Sequence, residues 1–559
     1  MVFVFPIGWS NYTPYLAKEI IGNTLRKCSA ETRVIDLNNH CLWDLICRIN
    51  DYLDKDISES KVIEQLEILT SIDSIENFDT FLLAKESLDC FLLTYSQLDR
   101  TVSISLDGIS FIGVTDNIYN VNLNNILDYV INRKSILLNK YFSNDLISSF
   151  CFEDIVAFSV TSLHQFVTSL YLADILKKES EKIKIIIGGN YLSRIYGTLV
   201  EDGRVFKFVD YLVAGCGEDT LPLLYKHIKT NSIELRDIPD IAYFDSEANV
   251  AMWNYLEHKE SIHESAFGLE NCKTAYFLPK KVVPIYITRG CAWKKCAFCS
   301  IPNASGKFRV RNIDDVVADI KQYVKYGISN FSFVDETLTP FLMKRLSGVI
   351  QSEGLDIRWG ALARFDSSLD LDICKEIYDS GCRRLQFGLE SYNKNILLKM
   401  NKGIDYNEVK TVIMHCIQSG ISVNLFCMIG FPGETEREAK NTVKFVLDVI
   451  YEALYEYGVL VTADFSAFLL DINSNVFYHQ EQFGIESEAI DNTSISLYSK
   501  YGPLAFDKNA VVYEAEQQYS KLIYDYFGNN AFKLKEPLYI SETYWFLKAC
   551  QMEKKNDGR

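Results

Sequence analysis

Between residues 324 and 434 one phrase returns four times: a helix closes on a glycine and a strand starts at once, in VKYGISNFSFVDE, QSEGLDIRWGALAR, YDSGCRRLQFGLES and CIQSGISVNLFCMIGFPGE. The glycine has a local reason, because the residue after a helix commonly turns left-handed, a conformation Gly adopts without steric cost. Successive strands are spaced by roughly 25–40 residues, the period of a β/α barrel. VVPIYITRG before the first unit and VTADFSAFLLDI after the last bring the expected strands to six, a partial barrel.

The N-terminal part alternates in the same way. VFVFPI, TPYLAKEIIGNTLRKC and TRVIDLN read strand, helix, strand; DIVAFSVTS, SLYLADILKKESE, KIKIIIGGN and VDYLVAGCGED resume the pattern after an acidic segment at about 51–150 that carries no legible chemistry. Apolar strands alternating with amphipathic helices predict a doubly wound parallel sheet. Ligands of such sheets lie beyond the carboxyl ends of the strands, here Ser159–Ser162, Gly188–Tyr191 and Ala214–Asp219, all small or polar. The expected organisation is α/β: a doubly wound, Rossmann-like domain over 1–234, an irregular connector over 235–280, a partial (β/α)6 barrel over 281–470 and a helical extension over 471–559.

The chemistry gathers after the barrel strands. Cys291, Cys296 and Cys299 crowd into CAWKKCAFC, directly behind the first strand. Neighbouring side chains cannot all enter one packed core, and converging thiolates want a soft metal. The window 285–310 offers no His and no other Cys to complete a structural zinc site. Asp335 and Glu336 are placed after the second strand, Arg364 after the third, Glu390 and Ser391 after the fourth, and Gly430 and Gly433 after the fifth. For the charged residues the ordinary alternative is a salt-bridged barrel rim.

Composition excludes several classes. A net charge of −17 argues against DNA or RNA as the main partner, since phosphate contact needs clustered Lys and Arg. No run of 18 residues is free of polar groups, so no membrane span is expected, and MVFVFPIGW lacks the basic start of a secretory leader. Of fifteen cysteines twelve are scattered singly in apolar runs, which fits a reducing cytoplasm.

CAWKKCAFC, with Phe298 before its last cysteine, resembles the cluster loop of the radical S-adenosylmethionine (SAM) superfamily, with one residue more than usual between the first two cysteines. FVDET, GLESYNKNILLKMNKG and MIGFPGETEREA are similar to that superfamily's wording on later strands, so the resemblance covers about 283–470. It implies a 4Fe–4S cluster on the three cysteines whose free iron binds SAM. Glu336 would receive the methionyl ammonium, Arg364 the carboxylate, Glu390 or Ser391 the ribose, and the Gly430–Gly433 backbone the adenine. DIVAFSVTSLHQF, IIIGGNYLS and FVDYLVAGCGEDTLPLL resemble the cobalamin-binding domain that precedes many such enzymes. Thr161, Ser162, Gly188, Gly189, Gly215 and Gly217 would then frame the nucleotide tail. The Asp-x-His-x-x-Gly loop that supplies a cobalt-ligating His is absent, and His164 reads as a helix-start residue.

Together these resemblances imply a class B radical SAM enzyme that methylates an unactivated carbon of a peptide or other natural product, fed by a flavodoxin- or ferredoxin-type electron donor. Cyclisation or rearrangement with the same cofactors is the main alternative, and a corrinoid or redox sensor the second. Methylthiotransferases need a second cysteine trio, which Cys28, Cys41 and Cys47 do not form by pattern.

Overall fold

The structure is a computed structural model that describes all residues except 30, 49–58, 143, 152, 255–266, 269–274, 305–306, 529–536 and 557–559. Two compact units emerge. The first comprises Met1–Glu67, Ala84–Phe277 and Ala489–Leu497; the second comprises Ile68–Leu83, Leu278–Glu488 and Tyr498–Arg559.

The first unit is built on strands β1 (Val2–Phe5), β2 (Arg33–Asp36), β5 (Ile155–Ser159), β6 (Lys184–Gly188) and β7 (Tyr211–Val213), with a separate hairpin β3 (Val102–Ser105) and β4 (Gly108–Phe111). The sheet runs β2-β1-β5-β6-β7 in parallel. β1 and β5 are buried at every position, as expected of strands covered by helices on both faces. Chain order reverses between β1 and β5, the switch point where such sheets open a crevice. One expectation is corrected. Residues 235–280 are not irregular throughout, because β8 (Ile241–Asp245) and β9 (Val250–Asn254) extend the sheet as antiparallel strands. Their outer positions are largely exposed, so the hydrophobic alternation that flags a strand is faint there.

In the second unit β10 (Val282–Ile285) is followed by a two-residue ladder, β11 (Thr288–Arg289) with β12 (Arg309–Val310). Then come β13 (Asn330–Leu338), β14 (Arg358–Ala363), β15 (Cys382–Glu390), β16 (Ser422–Ile429) and β17 (Val461–Ala467). They form a parallel sheet in the order β10-β13-β14-β15-β16-β17, a six-stranded partial barrel. The four helix-ending glycines, Gly327, Gly354, Gly381 and Gly420, all have positive φ, which is the reason for the repeated phrase. Pro284 sits in β10 at no cost to the ladder because β10 is an edge strand.

Helices Lys508–Phe527 and Glu542–Asn556 close the chain. The second packs on β14 and β15 near their starts: buried Arg384 donates to Glu542 at 2.7 Å and to Thr462 at 2.6 Å, and Arg383 and Arg358 meet Glu553. The base of the cysteine loop is held by a fully buried pair, Arg311 and Asp319 at 2.7 Å, with Arg311 also donating to the Tyr286 carbonyl at 3.1 Å. Removing one partner leaves an uncompensated buried charge. Asp319→Ala should therefore lower stability by about 3–5 kcal/mol, read as a fall in the thermal midpoint, whereas exposed Asp314→Ala should leave that midpoint nearly unchanged.

Candidate functional site

The three cysteines lie on a loop pinned from two sides. Ala297 donates to the Met400 carbonyl at 2.8 Å and accepts from the Val476 amide at 2.9 Å. Trp293 Nε1 donates to the Asn401 carbonyl at 2.8 Å, and Ser300 Oγ to Asp471 at 2.7 Å. Beneath them Ala297, Ile396, Met400, Phe431, Phe468, Leu470, Val476 and Ile485 form one apolar cluster with Phe298 against it. The loop is thus held by the segment after β15 and by the chain beyond β17, a part of the extension whose role is not legible in the sequence. The extra residue of the Cys-x4-Cys spacing is absorbed in a turn, where Lys294 takes a left-handed φ of 57°.

Cations surround the thiols. An Arg364 Nη stands 4.0 Å from Cys296 Sγ, and the Arg364 guanidinium lies 4.7 Å from the Trp293 ring. Arg364 also donates to the Lys402 carbonyl. Lys402 is buried, 2.6 Å from Glu390 and 5.6 Å from the Phe298 ring. Burial pushes the Cys296 thiol up while Lys402 and Arg364 pull it down. Cys299 is pushed up to about 11, first by burial, then by Cys296, Cys291 and Glu336. A metal that displaces these protons leaves thiolates whose charge Lys402 and Arg364 offset. Among the described residues no three His, Cys, Asp or Glu side chains converge on a single ion; the sulfur corners of a cluster stand further apart than the ligands of one ion. An all-sulfur donor set in a cationic seat fits an iron–sulfur cluster.

The carboxylates divide. Asp335 and Glu336 do not follow the second barrel strand but lie within β13, where its register to β14 shifts between Phe333 and Leu338. Alternation along a strand sends neighbours to opposite faces. Asp335 is buried, accepting from Ile287 N at 3.0 Å, from Thr288 N and from Thr288 Oγ1 at 2.7 Å, and burial pushes its carboxyl up to about 6. It braces the start of the cysteine loop. Glu336 reaches solvent, yet its concave surroundings and then Asp335 raise its carboxyl above the usual range.

At the end of β15 the register shifts again and Glu390 adopts a φ of 64°, an uncommon strain for a non-glycine residue that is held here by Lys402. Ser391 differs from expectation: it is fully buried and donates to Glu434 at 3.2 Å, so it braces the next loop. Glu434 accepts from Gly430 N at 2.7 Å and is pushed by burial to about 7. Gly430 has a φ of 83°, and a Cβ there would meet Lys508 at 2.7 Å; its carbonyl accepts from Tyr501 at 3.2 Å. A cavity of about 250 Å³ opens between the Gly430–Glu434 loop and Tyr501, Leu504 and Lys508. Lys402, Glu434 and Trp293 were not singled out from the sequence. The only signal for Lys402 was its place in KMNKG, after the fourth barrel strand.

In the first unit the predicted positions end or follow three neighbouring strands, β5, β6 and β7, with those after β5 at the β1/β5 switch. Ser162 Oγ donates to the Gly8 carbonyl at 2.9 Å, Thr161 N and Oγ1 donate to Gln165 at 2.9 and 2.7 Å, and Gln165 reaches the Pro6 carbonyl. Gly189, at a φ of 116°, leaves no room for a Cβ against the Val160 carbonyl, and Gly188 packs on Val213. Gly215 donates to Ser193, and Gly217 opens the helix Gly217–Thr230. His164 is the second residue of the helix Leu163–Glu179, and burial lowers its pKa.

Residues 285–446 match the profile of the Radical SAM superfamily. Over those residues the chain is similar to radical SAM domains. A domain of this kind implies a 4Fe–4S cluster and SAM. An uncharacterized methyltransferase, PH0819 of Pyrococcus horikoshii, is 27% identical over 310 residues, 53% of this chain and 65% of that protein. The ribosomal protein uS12 methylthiotransferase RimO of Phocaeicola vulgatus is 25% identical over 269 residues, 45% of this chain and 57% of that protein. The chain therefore spans less than two thirds of each. Among solved structures, the radical SAM methyltransferase TsrM of Kitasatospora setae with cobalamin and its cluster bound has a TM-score of 0.51 at 15% identity, covering 75% of this chain and 92% of TsrM. The cobalamin-dependent SAM radical enzyme OxsB has a TM-score of 0.53 at 15% identity, covering 69% and 60%. At that identity the likeness is one of fold. No helix among the described residues is long and apolar enough to cross a membrane.

Two buried carboxyls set a pH dependence. Glu434 and Glu516 are each raised by burial to about 7, so the folded state holds their protons more tightly than the unfolded chain. The stabilisation is complete below the ordinary glutamate range and is lost as pH rises through about 7. Thermal melts should show a falling midpoint from acidic to mildly alkaline buffer, and the double variant Glu434→Gln, Glu516→Gln should flatten that slope.

Proposed function

We propose that this chain is a cobalamin-dependent radical SAM enzyme that transfers a methyl group to an unactivated carbon of a small-molecule or peptide substrate. The observation that carries the reading is the three-thiol loop seated against Arg364 and Lys402, in a chain that also holds a doubly wound sheet with small residues at its switch point. The fold shared with TsrM and OxsB supports it. When bound, the cluster supplies the electron that cleaves SAM, and cobalamin supplies the methyl carrier.

The residues then divide the work. Cys291, Cys296 and Cys299 hold the cluster, while Arg364 and Lys402 offset its charge. Glu336, accessible and raised in pKa, takes the methionyl ammonium, and Arg364 meets the carboxylate beside it. Glu390, fixed by Lys402, is left for the ribose because Ser391 is turned inward. Gly430 and Gly433 offer backbone to adenine, and Phe298 packs below Lys402. Thr161, Ser162, Gly188, Gly189, Gly215 and Gly217 frame the corrinoid tail. A small, acidic, low-potential protein of the flavodoxin or ferredoxin type delivers the electron. A boundary near 280 separates the cobalamin-binding part, whose sheet runs on through β9, from the barrel, and one near 470 separates the barrel from the tail.

A methylthiotransferase reading is favoured by the likeness to RimO. Against it, Cys41 is buried, Cys47 exposed and Cys28 intermediate, and they lie on two helices, Leu16–Cys28 and Leu37–Cys47, rather than on one loop.

Anaerobically reconstituted protein with cobalamin, methyl-labelled SAM and candidate peptides should form 5′-deoxyadenosine and a labelled product heavier by about one CH2, roughly 14 Da. Cys296→Ala should abolish both. Cleavage with an unlabelled product of altered structure would establish the cyclisation or rearrangement alternative, and a gain of sulfur would establish methylthiolation.

A further inference from the structure

The cysteine loop has a second, outward side. A cavity of about 420 Å³ is walled by Cys296, Cys299, Lys294, Lys295, Lys399 and Tyr478, and its lining includes none of Cys291, Glu336, Arg364 or Lys402. Two of the three loop cysteines therefore border a space separate from the residues assigned to SAM. All three lysines are exposed. Two of them are presented by the turn that accommodates the extra motif residue, with Lys294 left-handed and Lys295 5.1 Å from the Trp293 ring. Next to them are two large apolar side chains open to solvent, Tyr478 at 63% exposure and, beside Lys399, Leu398 at 69%.

We infer that this face is the docking surface for the protein electron donor, a small acidic one-electron carrier. The inference rests on the proposed radical SAM reading and adds where its electron enters. Three considerations support it. An electron must come within tunnelling reach of the cluster, and here two of the three cluster-bearing cysteines form part of the cavity wall. The chain carries −17 overall and repels an acidic protein, so a local lysine cluster fixes the one orientation in which approach is favourable. Exposed aromatic and aliphatic side chains within a charged rim are the composition of a protein interface, whereas a site for a small anion has no use for them. In the step itself the donor loses one electron and the cluster gains it; no proton or group moves.

The test compares two reductants on the cluster-loaded chain by stopped-flow absorbance without substrate. Reduced flavodoxin is the protein probe, and reduced methyl viologen, a small cation, is the control. The triple variant Lys294→Glu, Lys295→Glu, Lys399→Glu should retain its cluster and be reduced by methyl viologen at no less than the wild-type rate. Reduction by flavodoxin should slow at least about tenfold, and the wild-type rate should fall with added salt while the variant rate does not. Equal flavodoxin rates in wild type and variant, or a wild-type rate indifferent to salt, would overturn the inference. So would a variant in which both reductants fail alike, since the lysines would then serve the cluster rather than the donor. Leu398→Ser with Tyr478→Ser, which keeps the charges, should weaken flavodoxin binding at fixed salt; unchanged affinity argues against a protein interface. Failure of SAM cleavage with methyl viologen as reductant would instead count against the proposed function, independently of these rates.

Discussion

The cysteine loop depends on two hydrogen bonds of one small residue. Ala297 gives its amide to Met400 and its carbonyl to Val476, and so fixes the cysteine loop between the segment after β15 and the chain beyond β17. A loop this rich in thiols has little apolar surface of its own with which to fold. It borrows order from the cluster around Met400, Phe431 and Phe468, and from the Arg311–Asp319 pair at its base. The tail from Leu470 to Ile485, with Tyr501, is therefore part of the site's wall.

Electrostatics follow from that placement. Burial alone opposes thiolates, and Cys299 shows it. Arg364 and Lys402 supply the opposing field, and each is itself anchored: Arg364 on the Lys402 carbonyl and the Trp293 ring, Lys402 on Glu390. The left-handed backbone of Glu390 is a cost that the ion pair offsets. A single network thus links the ends of β14 and β15 to the cysteine loop, and a fault in any member should reach the sulfurs.

What was legible in the sequence was what is decided locally. Gly327, Gly354, Gly381 and Gly420 announced the barrel because a helix end and its left-handed cap are neighbours in the chain. The strand ends that carry Arg364 and Glu390 followed from the same spacing. What was not legible depends on register and on distance. Asp335 and Glu336 looked like a pair after a strand, but they lie within β13, whose alternation sends them to opposite faces, one a brace and one accessible. Ser391 turned inward because Glu434, 43 positions away, needed a donor. β8 and β9 gave little periodicity because β9 has no buried face to alternate with its exposed one. Lys402 acts through residues that only the fold brings near it.

The central claim is that Cys291, Cys296 and Cys299 carry one 4Fe–4S cluster with an iron open to SAM. Electron paramagnetic resonance of the reduced, reconstituted protein tests it most directly. The account predicts a single reduced-cluster signal whose g-values shift when SAM is added and which disappears when the three cysteines are replaced by alanine. A signal indifferent to SAM, or one that survives those replacements, would contradict it.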